Sequence, residues 1–331
     1  MNKFTTLAGI VFWSALCAHP ETLTSTSKSV ELSSLLAYGQ PVPAWNGIHG
    51  VKYQMKTTVY TPGPNVFSYG AEGRQRWAAR VWIPGAVLVR IWGVSASSDG
   101  SAAAVGFATD ESGRVGGFIG WIGAGGEVAR VTRTGEDSFW SRQAAFDQQG
   151  GLWLLGQVPA PPSGFPDHAI LRRYAPNGEL TAQALPFSAF PNKKHPMGGM
   201  SGTGKGFAAL APYGDGMAVY IPLTDEFLLL SSIGEVTERR PVAWPSTDAG
   251  GNSLRFHQLM SSANRSVLLG AFTRGGRGEL YRLHRDGERY SWREVTLPLD
   301  FAYPLGFDRE ELVYHSMYGQ RVVWATLNDV H

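Results

Sequence analysis

Cysteine is nearly missing from this chain of 331 residues, the single one being Cys17. If export processing cuts after Ala18, the mature protein contains none. That excludes disulfides, thiolate metal sites and a cysteine nucleophile. An excess of charge is missing too: 29 Lys and Arg face 27 Asp and Glu, for a net +2 without long runs of either sign. Neither nucleic acid nor a membrane surface is therefore an expected partner. Helical periodicity does not occur anywhere, and no apolar run reaches the roughly 20 residues of a comfortable membrane span. The longest, FTTLAGIVFWSALCA after Lys3, reads as an export signal ending near Ala18. It places the protein in the periplasm or outside the cell, with an uncleaved N-terminal anchor as the main alternative. Leu16 directly before Cys17 argues against lipidation.

Turn formers and core formers are plentiful. The chain has 41 Gly and 20 Pro with no collagen-like period, 43% hydrophobic residues and 12% aromatics, which suits a large core joined by many turns. After a polar lead over 19–29, one hairpin recurs: an apolar run, a Gly-centred turn, usually Glu, then a strand of alternating polarity. Its glycines are Gly73, Gly126, Gly178, Gly234 and Gly287, spaced 53, 52, 56 and 53 residues apart. Self-similarity at such a period signals a propeller, solenoid or array. The Asn177-Gly178 and Asp286-Gly287 pairs predict two-residue hairpins with both central residues at positive φ. A second punctuation precedes an apolar strand in every unit, as in Asp147-Gln-Gln-Gly150 before LWLLGQV. Each unit is thus four strands, A to D, and radial repetition of such sheets makes an all-β propeller.

The ends set the blade count. The last unit offers strands at 303–307, 312–317 and 321–327, and the chain stops where its fourth strand is due. The spare strand at 30–37 is expected to close that blade, because an unpaired edge is a hazard. The prediction is one six-bladed domain over 30–331, with 1–18 as signal peptide.

The D-x-x-G-G-L-W-L-L pattern at Asp147 to Leu155, with N-G-E-L at Asn177 to Leu180, resembles the six-bladed TolB-like and NHL-repeat propellers. The resemblance rests on turn chemistry and implies a fold. That class ranges from protein-binding modules to metal-dependent lactonases, so it does not carry a function.

In such a fold the A–B and C–D turns share one rim and the B–C and D–A loops share the other. The second set holds the irregular length: 158–169, 186–206 and 244–252. Binding is expected there, because rigid scaffolds carry function on such loops. The candidates are Phe165, Asp167, His168, Lys193, Lys194, His195, Lys205 and Trp244. The stretch Gly199 to Gly206 matches G-x-x-x-x-G-K, but Gly206 stands where Ser or Thr is needed and a strand pattern follows. His168, His195 and His257 with Asp167 and Asp248 are a possible divalent-metal set, although the inner strands GVSAS, AAF, FAALAP and PLGF are nearly free of acids. Most tryptophans, including Trp82, Trp92, Trp121, Trp153, Trp292 and Trp324, fall in expected strands and read as packing between blades. Trp45 and Trp244 lie outside them. There is no G-x-S-x-G elbow. The reading leans away from an enzyme, toward an exported binding module for a protein, glycan or small ligand that needs no cofactor. The alternative is a metal-dependent hydrolase or lactonase working in the channel.

Overall fold

Runs of Val, Ile, Leu, Ala and aromatics broken every few residues by Gly, Asp or Asn can satisfy their backbone only by pairing with neighbouring strands. The computed structural model describes residues 21–31, 44–46, 49–71, 73–135, 137–160, 164–190, 195–197, 205–245, 254–275, 277–298, 300–316 and 321–328. Among these there is no α-helix, only a 3-10 turn at Phe187–Ala189.

The chain opens with β1 (Glu21–Glu31), β2 (Ala44–Asn46), β3 (His49–Tyr53), β4 (Lys56–Thr58), β5 (Val66–Gly70) and β6 (Gln75–Ala79). Next come β7 (Ala86–Ala96), β8 (Ala102–Asp110), β9 (Val115–Ile122) and β10 (Val128–Arg133). The third run is β11 (Trp140–Phe146), β12 (Leu152–Gln157), β13 (Ala169–Tyr174) and β14 (Leu180–Pro186). The fourth is β15 (Ala209–Tyr213), β16 (Gly216–Ile221), β17 (Glu226–Leu230) and β18 (Val236–Ala243). The fifth is β19 (Leu254–Ser261), β20 (Leu268–Arg274), β21 (Arg277–Asp286) and β22 (Arg289–Thr296). The last is β23 (Phe301–Asp308), β24 (Glu311–Ser316) and β25 (Arg321–Asn328).

Among the described residues these strands pair antiparallel in six groups: β2-β3-β5-β6, β7 to β10, β11 to β14, β15 to β18, β19 to β22, and β23-β24-β25-β1. The core lies between the groups. One apolar cluster joins Val51 and Trp77 to Ile91 and Phe118, and a second joins Ile119 to Leu152 and Leu154. A third joins Trp153 to Val219, and a fourth Tyr220 to Phe256 and Trp292. A fifth joins Leu269 to Tyr314, and a sixth joins Val313 and Trp324 back to Tyr69 of the first group. The ring is closed by packing, and the architecture is a β-propeller. Leu152 to Leu155 are fully buried on both faces of β12, so truncating one to Ala there costs about 2–5 kcal/mol.

The repeat glycines behave as their recurrence implies. Gly73, Gly126, Gly178, Gly234 and Gly287 all have positive φ, between +61° and +92°. The turn type differs from the expectation. At Gly178 the amide donates to Ala175 O at 2.8 Å, and Ala175 N donates to Glu179 O at 2.8 Å. This is a three-residue loop closed by a glycine bulge, with Pro176 and Asn177 at ordinary negative φ. The same bond pair recurs at Gly73, Gly126 and Gly234. Pro176 presets the first turn residue, and Gly178 alone takes the left-handed position. Of the five repeat turns, the one at Gly287 is the two-residue loop, enclosed by Asp286↔Arg289.

The closing strand is also displaced from its expected place. β1 pairs with β25 from Thr22↔Asn328 to Glu31↔Arg321, so the strand is 21–31; of the expected 30–37, residues 32–37 lie outside the described residues. The physical reason is visible in two of the other outermost strands. β10 and β18 are largely exposed, so a polar, Thr-rich segment suits that position and apolar alternation is not its signature.

Candidate functional site

The first strand of each group turns one edge to the ring axis. Segments of β7, β11, β15, β19 and β23 line an axial cavity of about 500 Å³, with Tyr53 beside them. Chain direction assigns its ends. Each of these strands starts at the B–C/D–A rim and runs to the A–B rim, so Arg142, Phe207, Arg255 and His257 stand near the first mouth, and Asp147 and Arg265 near the second.

The first mouth is basic and aromatic. The Arg142 guanidinium lies 4.3 Å from the Trp92 ring, 4.2 Å from Phe207 and 5.9 Å from Trp140. Trp92 and Trp140 are themselves 5.4 Å apart, and Tyr53 Oη donates to Trp92 O at 2.9 Å. Arg142 Nε is buried and makes no hydrogen bond among the described residues. Arg255, which is exposed, comes within 5.8 Å of the same Phe207 ring. Burial, with the Arg255 charge adding to it, pulls the Arg142 pKa down to about 10. His257 Nε2 meets Thr273 Oγ1 at 2.7 Å, and burial, then Arg255, lowers its pKa.

Two backbone approaches build this mouth. A Cβ on Gly93 would meet Arg142 O at 2.5 Å, so glycine lets β7 and β11 close on one another. Gly206 has φ +113°, and a Cβ there would lie 2.0 Å from Phe256 O. Its bridge to Phe256, with Phe256 N donating to Lys205 O at 2.7 Å, sets Phe207 against the two arginines.

The second mouth is balanced. Arg265, whose pKa burial lowers, has Asp147 and Asp215 opposing that shift. Asp147, the one carboxylate among the described lining residues, takes Arg173 Nε at 2.7 Å and the amides of Gln149 and Gly151. It is committed to holding its turn.

The rim candidates fall into two clusters. Phe165 and His168 of the loop after β12 meet His195 and Phe187 of the connection after β14. The rings of His168 and His195 stack at 5.1 Å, and Phe165 lies 4.6 Å and Phe187 5.0 Å from His195. Burial, then the neighbouring His168, lowers the His195 pKa to about 3, and burial lowers that of His168. Asp167 is exposed and accepts from Ser188 N and Oγ at 2.8 and 2.9 Å, which keeps its pKa low. In the second cluster Lys205 Nζ sits 2.6 Å from Asp225 and 5.0 Å above Trp244. Trp244 is half-buried, edge-on to Phe272 at 5.6 Å. Lys193, Lys194 and Asp248 lie outside the described residues. Among the described residues no group of three or more His, Cys, Asp or Glu is placed to hold a metal ion. After Lys205 the chain enters β15, so strand rather than helix follows the G-x-x-x-x-G-K match.

Two tryptophans differ from expectation: Trp45 lies within β2, and Trp82 lies between strands, 4.9 Å from Arg80. Trp92, expected as packing, lines the channel.

No protein-family model matches the chain, and no curated protein matches it. Among solved structures, a DUF4221 family member from Bacteroides vulgatus is similar with a TM-score of 0.52 at 8% identity, over 93% of this chain and 98% of that one. The PQQ-bound aldose sugar dehydrogenase from Streptomyces coelicolor has a TM-score of 0.46 at 12% identity, covering 92% and 99%. The Swd1 β-propeller domain from Myceliophteria thermophila has 0.47 at 12%, covering 93% and 100%. At 8% identity the likeness shows the fold alone.

Proposed function

We propose that this protein is a non-catalytic propeller that receives its ligand on the B–C/D–A rim, over the basic mouth of the channel. The observation that carries the reading is a convergence on one rim. Described residues of the irregular connections of the third and fourth groups meet there in the His168–His195 stack and the Lys205–Asp225 pair, beside half-exposed Trp92, Trp140 and Phe207. Fixed side chains beside an open aromatic cavity are what a preformed binding site requires. The metal-dependent hydrolase gains no comparable support, since the cavity's carboxylate, Asp147, is tied to Arg173 and its own turn.

Export belongs to this proposal. The closing strand begins at Glu21, downstream of the expected cleavage after Ala18, so processing there leaves the fold intact. N-terminal sequencing of the protein recovered from the periplasm or medium tests it, and an N-terminus at Met1 would count against it. The binding reading is tested on a panel of glycans, peptides and small acids. Reversing Lys193 and Lys194, or trimming 159–164, which leaves buried Val158 and the Phe165 and Asp167 contacts in place, should weaken binding of whichever compound registers without lowering the melting temperature. Unchanged affinity in both variants would reject this rim.

A further inference from the structure

We infer that the channel mouth is an oxyanion site in which Arg142 and Arg255, set around Phe207, hold a carboxylate or phosphate group of the bound ligand. The inference rests on the binding reading above and names the chemistry of what is bound.

Three observations carry it. First, two guanidinium groups flank one ring, at 4.2 and 5.8 Å, and among the described residues neither makes a salt bridge to a carboxylate. Three other arginines do have such a partner: Arg173 has Asp147, Arg239 has Glu226 and Arg274 has Glu279. Arg265, at the other end of the same channel, is faced by acids. Second, Arg142 is only partly matched where it stands, half-buried at the edge of the cavity. Its Nε is buried without a partner, and Trp92 and Phe207 pack its guanidinium. A buried donor left unmatched carries a desolvation cost that a bound acceptor would remove. Third, the close approach of Gly206 to Phe256, at a φ that glycine takes without strain, sets Phe207 against both arginines. Guanidinium groups match the geometry of carboxylate and phosphate oxygens, and aromatic walls reduce competition from water.

Carboxylate and phosphate share this chemistry, and titration separates them. Full-length purified protein is titrated calorimetrically at low ionic strength with D-glucuronate, inorganic phosphate and D-glucose. The expected result is saturable binding of glucuronate or phosphate and none of glucose. The tighter of the two assigns the group to a sugar acid or to a phosphoryl ligand. Arg255→Gln, an exposed change, should weaken that binding at least tenfold with an unchanged melting temperature, and Arg142→Gln should abolish it. Failure of both anions to bind would overturn the inference, as would wild-type affinity in both variants. Binding that appears only in Asp248→Asn would also overturn it, by making Asp248 the natural partner of the pair. Glucose held as tightly as glucuronate, and lost in Phe207→Ala, would overturn the oxyanion while leaving the rim-binding reading standing.

Discussion

His195 donates a hydrogen bond from Nε2 to Nε2 of His168, 3.1 Å away, and the two rings stack within 10° of parallel. The direction follows from the outer nitrogens. His168 Nδ1 faces Pro166 O at 2.8 Å and must carry its proton, whereas His195 Nδ1 accepts from Met197 N–H at 3.1 Å and must be bare. Both rings are therefore neutral, and a proton added to His168 Nε2 would point at the His195 proton.

This pair makes stability depend on pH. His195 ordinarily titrates near 6.5 and is held down to about 3 by burial and by His168. Below pH 6.5 the unfolded chain takes up a proton that the folded chain refuses, so stability is full above that pH and is lost as pH falls toward 3. The groups facing the pair are Arg172, which opposes protonation of His168, and Asp137 and Asp167, which favour it. Urea melts across this window should show a loss on the order of 1–3 kcal/mol, flattened in His195→Gln, whose amide can replace both bonds. An equal slope in the variant would remove the pair as its cause.

Gly206 should tolerate no side chain. Ala at φ +113° with its Cβ against Phe256 O is strained twice over. Gly206→Ala should lower stability by about 2–4 kcal/mol and weaken ligand binding with it, because Phe207 moves. Chemical denaturation and one binding isotherm check this, and a variant as stable as the parent would contradict it.

Removing Glu21–Glu31 should expose the edge of β25, which β1 now covers over most of its length. An uncovered edge pairs with other chains. The truncated protein should melt lower and run as larger species in gel filtration. A monomer of unchanged melting temperature would show that β1 is dispensable.

The fold was largely legible because its signal repeats. Five turn glycines at near-constant spacing carry more information than any one strand, and all five adopt the positive φ that explains them. The turn type was misjudged because Asn177-Gly178 suits two different loops, and Pro176 decides between them. β1 was misplaced because an outermost strand needs no apolar face. The rim clusters at His168 and Lys205 could be reached from loop length. The mouth could not: reading the third inner strand as AAF left out its first residues, Trp140 to Gln143, and with them Arg142. What marks such a residue is the absence of a carboxylate beside it in space, which sequence order does not reveal. The available signal was the pairing of aromatic with Arg in WSR and RIW at the starts of inner strands.

The central claim is that ligand is received at the B–C/D–A rim, and two matched charge reversals test it most directly. Arg255→Glu alters this mouth, whereas Arg130→Glu alters an exposed arginine near the Gly126 turn on the opposite rim. Affinity for glucuronate, or for the tightest compound of the panel, should fall at least tenfold in Arg255→Glu, about 1.4 kcal/mol, and stay at the parental value in Arg130→Glu. Loss of affinity in Arg130→Glu with Arg255→Glu unaffected would place binding on the other face and contradict the account.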